Sequence, residues 1–207
     1  MKNLFIVMTM VAALSLVVLG SAVAEPTHFN EIGLYTTTDG FGETGTDDVG
    51  VPTTVFLVLT KPASQGIPCD GIGAFECQLN FNPASFGLFK LFDALGAEGL
   101  NIGDVDHISD GYLEYIVGFS TGVPVVAEAA VLIHFQFLRT SATPVEVTLG
   151  PVSFPSIPGQ MGFLPPDPPI EIMYSMGGSH EAPVFIFNGM AIPVESESLG
   201  SVKALYR

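Results

Sequence analysis

Residues 75–81 read Phe-Glu-Cys-Gln-Leu-Asn-Phe, and this stretch decides the fold class. Every second residue is apolar, so Phe75, Cys77, Leu79 and Phe81 point to one side of an extended chain and the polar residues point to the other. A period of two that is kept over the whole stretch predicts a β-strand with one buried face.

The same alternation recurs at 112–119, 131–138 and 145–149. The second of these stretches predicts one buried face, made by Val131, Ile133, Phe135 and Phe137. Short apolar runs at 53–60 and 184–187 predict strands that are buried on both sides, and weaker patterns occur at 31–36, 86–92 and 170–174. Helical turns are the alternative at 86–95 and at 126–130, and the Pro-rich stretch 151–169 predicts an irregular crossing over one sheet edge. Together these patterns predict an all-β, antiparallel sandwich of about nine strands.

Composition limits the size of the domain and the class of partner. The chain has 207 residues, of which 48% are hydrophobic, enough for one domain with a substantial core. Its 6 Lys and Arg residues stand against 21 Asp and Glu residues, a formal net charge of −15. Nucleic acid is excluded as a partner, because its phosphates are bound by Lys and Arg.

The first 24 residues predict a signal peptide. Lys2 precedes an apolar stretch at 4–19, and Ala22-Val-Ala24 forms a small-x-small cleavage site. The alternative, an uncleaved membrane anchor, needs about 20 apolar residues, more than this stretch offers. We therefore expect a domain at 25–192 that is secreted, extracellular or periplasmic, with no membrane span after cleavage. The polar tail at 193–207 is expected to be flexible, and it resembles terminal segments of secreted bacterial proteins, which suggests a role in sorting or attachment.

Export makes the two cysteines informative. Cys69 and Cys77 are the only pair in the chain, and an oxidising compartment favours a disulfide between them. The alternative is a pair of reduced thiols. A zinc site is not expected from this spacing, since no further soft ligands accompany it.

Two stretches resemble the paired late strands of cohesin-type sandwiches. They are 115–120, Tyr-Ile-Val-Gly-Phe-Ser, and 130–138, Ala-Val-Leu-Ile-His-Phe-Gln-Phe-Leu, while 75–81 lies about where that family has an early core strand. The resemblance implies an Ig-like or cohesin-like sandwich. It also implies the function of cohesins and related carbohydrate-binding sandwiches, which are extracellular, bind a partner protein or a glycan, and catalyse nothing. The chain has no Trp for stacking on sugars, and the rings that could replace it belong to Tyr35, Tyr112, Tyr115 and Tyr174.

A hydrolase is a third hypothesis. Residues 118–122 match the G-x-S-x-G pattern around Ser120, and Asp167 and His180 follow in the order of a hydrolase triad. A nucleophile elbow needs a helix directly after the serine, and Pro124 leaves little room for one. The alternative, without catalysis, is that this segment is the end of a strand followed by a turn.

Two acidic loops predict, at most, a structural calcium ion and no other cofactor. Asp104, Asp106 and Asp110 fall within seven residues, and carboxylate oxygens are ligands that calcium prefers. The second loop holds four acidic residues: Asp39, Glu43, Asp47 and Asp48. Neither has EF-hand spacing, so a solvated turn is the alternative in both.

The sequence therefore predicts a secreted, non-catalytic module that binds a protein at the cell surface or has a structural role there. A glycan-binding module is the alternative, and a serine hydrolase is the less favoured one. One sandwich fold hosts many functions, so the fold alone does not decide between them.

Overall fold

Thirteen β-strands and one 3-10 turn make up the regular structure of the part of the chain that a computed structural model describes, which is residues 29–40, 48–84, 87–105, 108–167, 169–176 and 178–187. The turn lies at Ile108–Asp110. The strands are β1 Glu31–Tyr35, β2 Pro52–Thr60, β3 Ala63–Ser64, β4 Ile67–Pro68, β5 Gly71–Asn82, β6 Leu88–Leu95, β7 Gly99–Asn101, β8 Tyr112–Pro124, β9 Ala129–Arg139, β10 Val145–Gly150, β11 Met161–Leu164, β12 Glu171–Ser175 and β13 Phe185–Phe187. Nine of them have four or more residues, so the predicted all-β class is confirmed.

The strands form two layers. The first sheet has the order β1-β2-β9-β6, with β6 at its edge. The second has the order β13-β10-β5-β8-β7. Strand β11 pairs with β5 next to β10, and β12 pairs with both β11 and β1, so the two layers are joined along this side. The β1–β12 pair is parallel, and the other pairs among the described strands are antiparallel.

The core lies between the two layers and is rich in phenylalanine. The inward residues of 75–81 are all buried, as their alternation predicts. Phe137 packs against three other rings, those of Phe81, Phe135 and Phe187, at centroid distances of 6.1, 5.3 and 5.1 Å. Burial of this apolar surface from both sheets is the main term that stabilises the fold.

A β-bulge overturns part of the pattern predicted for 131–138. The register between β2 and β9 shifts at Leu57/Val58, and β9 has one additional residue there. Leu132 is consequently buried in the core, while Val131 packs on the outer side of the first sheet against a small cluster that contains Tyr35 and Val58. Because side chains alternate, one extra residue moves every earlier side chain to the other face.

Other expectations are wrong at the level of single elements. The helical alternative at 86–95 is wrong, and the weak strand pattern at 86–92 is confirmed, because Leu88–Leu95 is a strand whose backbone pairs with β9. The helical alternative at 126–130 is wrong, because these residues form a tight turn that leads into β9, and its central residues, Ala127 and Glu128, have φ angles of 49° and 66°. The crossing at 151–169 is irregular only in part, since it contains β11.

The predicted signal peptide at 1–24 and the tail at 193–207 lie outside the described residues, and both stay predictions. In the described part, no helix is long and apolar enough to cross a membrane.

Candidate functional site

The outer face of the second sheet carries exposed aliphatic side chains on β7, directly after β7 and directly before β12. Leu100 and Ile102 are 69% and 72% exposed, and Ile170 is 44% exposed. Strand pairing sets Leu100 opposite Gly118, and the Ile102 N–H donates to the carbonyl of Ile116 at 3.0 Å. Because opposite residues share a face, these side chains lie on the side of the sheet that faces away from the core. We call Leu100, Ile102, Ile116 and Ile170 the aliphatic surface.

Asn101 holds the outermost strand of this surface in place. Its Oδ1 accepts hydrogen bonds from the N–H groups of Gly103 and Ile116, both at 3.0 Å. The side chain therefore ties β7 to β8 in addition to the backbone ladder. Without such a tie a strand of three residues would fray, so Asn101 positions Leu100 and Ile102.

A segment at 151–160, which we call the strap, crosses the outer face beside the aliphatic surface. The N–H and Oγ of Ser153 donate to Glu114 at 3.1 and 3.0 Å. The N–H and Oγ of Ser156 donate to Glu76 at 2.7 and 2.9 Å. Both carboxylates are buried, at 8% and 7% exposure, and these bonds replace the water that burial removes. The strap is thus attached to the sheet at two points.

A shallow groove runs between the strap and the aliphatic surface. It has a volume of about 150 Å³, and Ser156, Ile116, Leu164 and Ile170 contribute to its walls. Gly162 forms part of it, and a Cβ placed there would lie 3.3 Å from Ile170. Aliphatic side chains and a bordering hydroxyl are the chemistry that suits an apolar protein side chain.

Charge on this side of the molecule has a single sign. The stretches 62–89, 91–138 and 140–202 contain no Lys or Arg, so the strands of the second sheet and the strap have none. Their acidic residues are Glu76, Glu114 and Glu146. A negative potential over this face favours a partner with positive charge.

The predicted triad of Ser120, Asp167 and His180 is wrong, since the geometry separates Ser120 from His180. Ser120 lies inside β8, with no helix after it, and its Oγ donates to the carbonyl of Glu98 at 3.0 Å. The Nδ1 of His180 lies 3.1 Å from the carbonyl of Leu149. Leu149 is across β5 from Leu113, which is about 20 Å along β8 from Ser120 at ~3.3 Å per residue. No proton transfer between the two side chains is feasible at that separation.

The predicted disulfide is also wrong: Cys69 and Cys77 are both free. Cys77 points into the core from the middle of β5, and Cys69 precedes that strand. The extended residues 71–77 alone span about 20 Å, whereas a disulfide requires Cα atoms within about 7 Å. Burial raises the pKa of both thiols, and the nearby carboxylates Glu171 and Asp70 raise that of Cys69 further.

The calcium prediction falls partly outside the described residues. Asp104 and Asp110 are described, but Asp106 is not, and neither are Glu43 and Asp47 of the second acidic loop. In the part that is described, no group of three or more His, Cys, Asp or Glu side chains is arranged to hold a metal ion. A structural calcium ion therefore stays a prediction.

The tyrosines do not form a platform for sugars. Tyr35 and Tyr115 are 3% and 1% exposed, so neither ring can be reached by a ligand. Tyr112 is half-buried, and Tyr174 is exposed on β12, which pairs with β1 and β11. The side chains that the glycan hypothesis needs on one flat surface are therefore divided between the core and separate strands.

A second concave region lies at the end of the sandwich where β5 begins and β8 ends. A cleft of about 580 Å³ is lined by residues that include Asp70, Gly122 and Pro166. In the described part of the chain, five non-glycine residues with left-handed backbone lie at this end: Asn30, Lys61, Gln65, Ala127 and Glu128. The lining of the cleft contains no aromatic ring, so it offers sugars no stacking surface.

Comparison with known proteins gives matches in structure only. No protein-family model matches the chain, and no curated protein matches it. A cohesin module from a Clostridium perfringens family 33 glycoside hydrolase matches with a TM-score of 0.45 and 8% identity, over 70% of this chain and 90% of that one. The second type II cohesin module of the scaffoldin ScaA of Acetivibrio cellulolyticus matches with a TM-score of 0.44 and 11% identity, over 78% and 98%. A type III cohesin module from the ScaE scaffoldin of Ruminococcus flavefaciens matches with a TM-score of 0.41 and 15% identity, over 70% and 78%.

These solved structures are cohesin modules, the family that 115–120 and 130–138 resemble. The likeness concerns the fold. We carry no binding residue over from these modules to this chain, because the TM-scores are below 0.5 and the identities are low.

Proposed function

We propose that this chain is a non-catalytic module that binds a protein outside the cell through the aliphatic surface. The observation that carries the proposal is the exposure of Leu100, Ile102 and Ile170 together on one sheet face. Contiguous apolar surface of this kind is unfavourable in water, and it typically marks a site of protein association.

The setting outside the cell rests on the predicted signal peptide at 1–24. The protein class of the partner rests on the chemistry of the face. Branched aliphatic side chains pack well against other apolar side chains, and the one ring beside them, that of Phe154, does not form the platform of several rings on which sugars stack. A dockerin module is the first partner to test, since the chain resembles cohesins and one of the matched structures is a cohesin–X–dockerin complex from Acetivibrio cellulolyticus.

The test compares three forms of the full chain on a solid support. These are the wild type, the double variant Leu100→Asp/Ile102→Asp, and the control Phe89→Asp on the outer side of the first sheet. All three substituted residues are at least half exposed, so the fold should be kept, which circular dichroism would check.

Each form is incubated with a purified dockerin module and with proteins extracted from the surface of the source organism. We expect a protein that the wild type and Phe89→Asp retain and the double variant loses, because a buried charge without a partner opposes binding. Retention of the same protein by all three forms would contradict the proposal.

A further inference from the structure

We infer that Phe154, on the strap, is the aromatic anchor of this interaction, and that it enters an apolar pocket of a protein partner whose rim carries Lys or Arg. The inference rests on the proposed function and adds to it the residue that leads the contact and the chemistry of the partner. Phe154 is 89% exposed, more than any other large hydrophobic residue in the described part of the chain.

The strap holds the backbone of Phe154 in place before any partner arrives. Phe154 lies between Ser153 and Ser156, and each serine donates two hydrogen bonds to a buried carboxylate of the sheet below. Pro155 follows the ring directly and restricts the backbone there. A side chain on a segment that is already ordered loses less conformational entropy on binding than one on a free loop.

The position of the ring places it at the border of the aliphatic surface. Ser156 and Ile116 line the same groove, and Ile116 lies opposite Glu76, the carboxylate that holds Ser156. A partner seated on the groove would therefore meet Phe154 as a projection at its border. Aromatic side chains at such positions commonly contribute most of the binding free energy of an interface.

Charge decides what kind of partner fits. Glu76 and Glu114 lie under the strap, and the second sheet has no cationic side chain to offset them. Lys or Arg at the rim of the partner's pocket would meet complementary potential. A second copy of this chain is disfavoured as the occupant, because both copies carry a net charge of −15.

The probe is a phage library of random linear peptides, selected on the immobilised full chain. We expect enriched peptides to combine Lys or Arg with apolar residues. Their affinity should fall by about tenfold or more on Phe154→Ala, as is typical of a truncated anchor, and by less than about twofold on the matched control Phe89→Ala. Peptides that bind Phe154→Ala as well as the wild type, or that are acidic, would overturn the inference.

A second variant tests whether the ring needs its attachment. Glu76→Gln/Glu114→Gln keeps Phe154 but gives each attachment point an amide nitrogen in place of one acceptor oxygen. We expect faster hydrogen exchange over 152–157 and an affinity several-fold below that of the wild type. Faster exchange with unchanged affinity would contradict a preorganised anchor.

The outcomes separate this inference from the proposed function. Peptides that lose binding to Leu100→Asp/Ile102→Asp but not to Phe154→Ala would leave the aliphatic surface as the site and remove the anchor. Peptides whose binding depends on Phe89 and is unchanged in the double variant would contradict both the proposed function and this inference. A dimer in sedimentation that Phe154→Ala dissociates would show that a second copy occupies the site, and would overturn the assignment of a cationic partner.

Discussion

The outer faces of the two sheets differ in what covers their apolar side chains. On the first sheet, the chain covers much of the face itself: Phe56 and His134 stack at 5.0 Å, and Phe92 meets His134 edge-on at 5.6 Å. Tyr35 is the cross-strand partner of Phe56 and is buried. On the second sheet the aliphatic side chains lie open to solvent. An outer face that packs against its own chain adds to stability, whereas an open one remains available to a partner.

The edge strand β6 complicates this contrast, since Phe89, Leu91 and Phe92 are each about half exposed. Its register shifts between Lys90 and Phe92, and the side chain of Lys90 turns away from the outer face to contact Asp93 at 2.9 Å and the carbonyl of Val105 at 2.7 Å. A bulge and a charge on the inner side of an edge strand both oppose pairing with another strand. These features disfavour the addition of a partner strand along β6.

The largest expected effect comes from truncating Tyr35. Tyr35→Ala should lower the free energy of unfolding by about 3 kcal/mol, because it empties a packed position under the outer face of the first sheet. The counterpart on the second sheet, Ile102→Ala, should change it by less than about 0.5 kcal/mol. Urea denaturation measures both, and equal losses would erase the difference between the two faces.

A second variant at the same position, Tyr35→Phe, removes only the hydroxyl of Tyr35. Its hydroxyl is buried and has no hydrogen-bond partner in the described part of the chain, and burial together with Glu31 raises the pKa of this phenol. Removing the hydroxyl should stabilise the protein by about 1 kcal/mol, since an unsatisfied polar group is no longer buried. A loss of stability would show that the hydroxyl has a partner.

Two glycines provide a matched pair, one on each outer face. A Cβ on Gly33 would lie 2.9 Å from the ring of Tyr35, whereas a Cβ on Gly118 meets nothing within 4 Å. Gly33→Ala should destabilise by about 2 kcal/mol through overpacking. Gly118→Ala should stabilise by about 0.5 kcal/mol, because alanine loses less backbone entropy in a strand. Thermal denaturation of both variants in one buffer measures the two changes in stability. Changes of the same sign would contradict the prediction.

A variant that detaches the strap should lose less stability. Glu114→Ala removes the acceptor of both hydrogen bonds from Ser153 and should destabilise by about 1.5 kcal/mol. Glu146→Ala, an exposed carboxylate on β10, is the control and should stay within about 0.5 kcal/mol. Hydrogen exchange over 152–157 should quicken only in the first variant.

The smallest effect concerns the inner face of the second sheet. Cys77 should react with iodoacetamide only after unfolding, and Cys69 should react more slowly than a free cysteine, because burial raises the pKa of both thiols and lowers the thiolate fraction at neutral pH. Mass spectrometry with and without urea measures this. Rapid labelling of native Cys77, or a mass two protons lower, would contradict the free, buried thiol.

Strand positions could be predicted from the sequence because they depend on local alternation. The pattern at 75–81 identified the inward residues of β5, and the patterns at 112–119 and 145–149 identified β8 and β10. The same rule failed at Val131, since a bulge depends on the partner strand and leaves no mark in the alternation itself. Short strands such as β7 were not predicted, because three residues contain no period.

The candidate site could be predicted only in kind. The resemblance to cohesins suggested a binding module, but Ser120 and the cysteine pair suggested chemistry that the fold keeps apart. No pattern in the sequence identified Leu100 and Ile102 as surface residues. In a short segment, apolar residues that face the core and apolar residues that face solvent give the same pattern. In the sequence, Glu76 and Glu114 cannot be told apart from other outward-facing residues of a strand.

By itself, the amino-acid sequence determined the all-β class, the inward faces of the main strands and the strong negative charge. Those properties follow from residue type and local spacing, which hold in any arrangement of the strands. The fold adds that the strap lies over β5 and β8, that two carboxylates hold it, and that the aliphatic surface beside it stays exposed to solvent. These depend on contacts between residues far apart in the chain, such as Ser156 with Glu76, which no local pattern encodes.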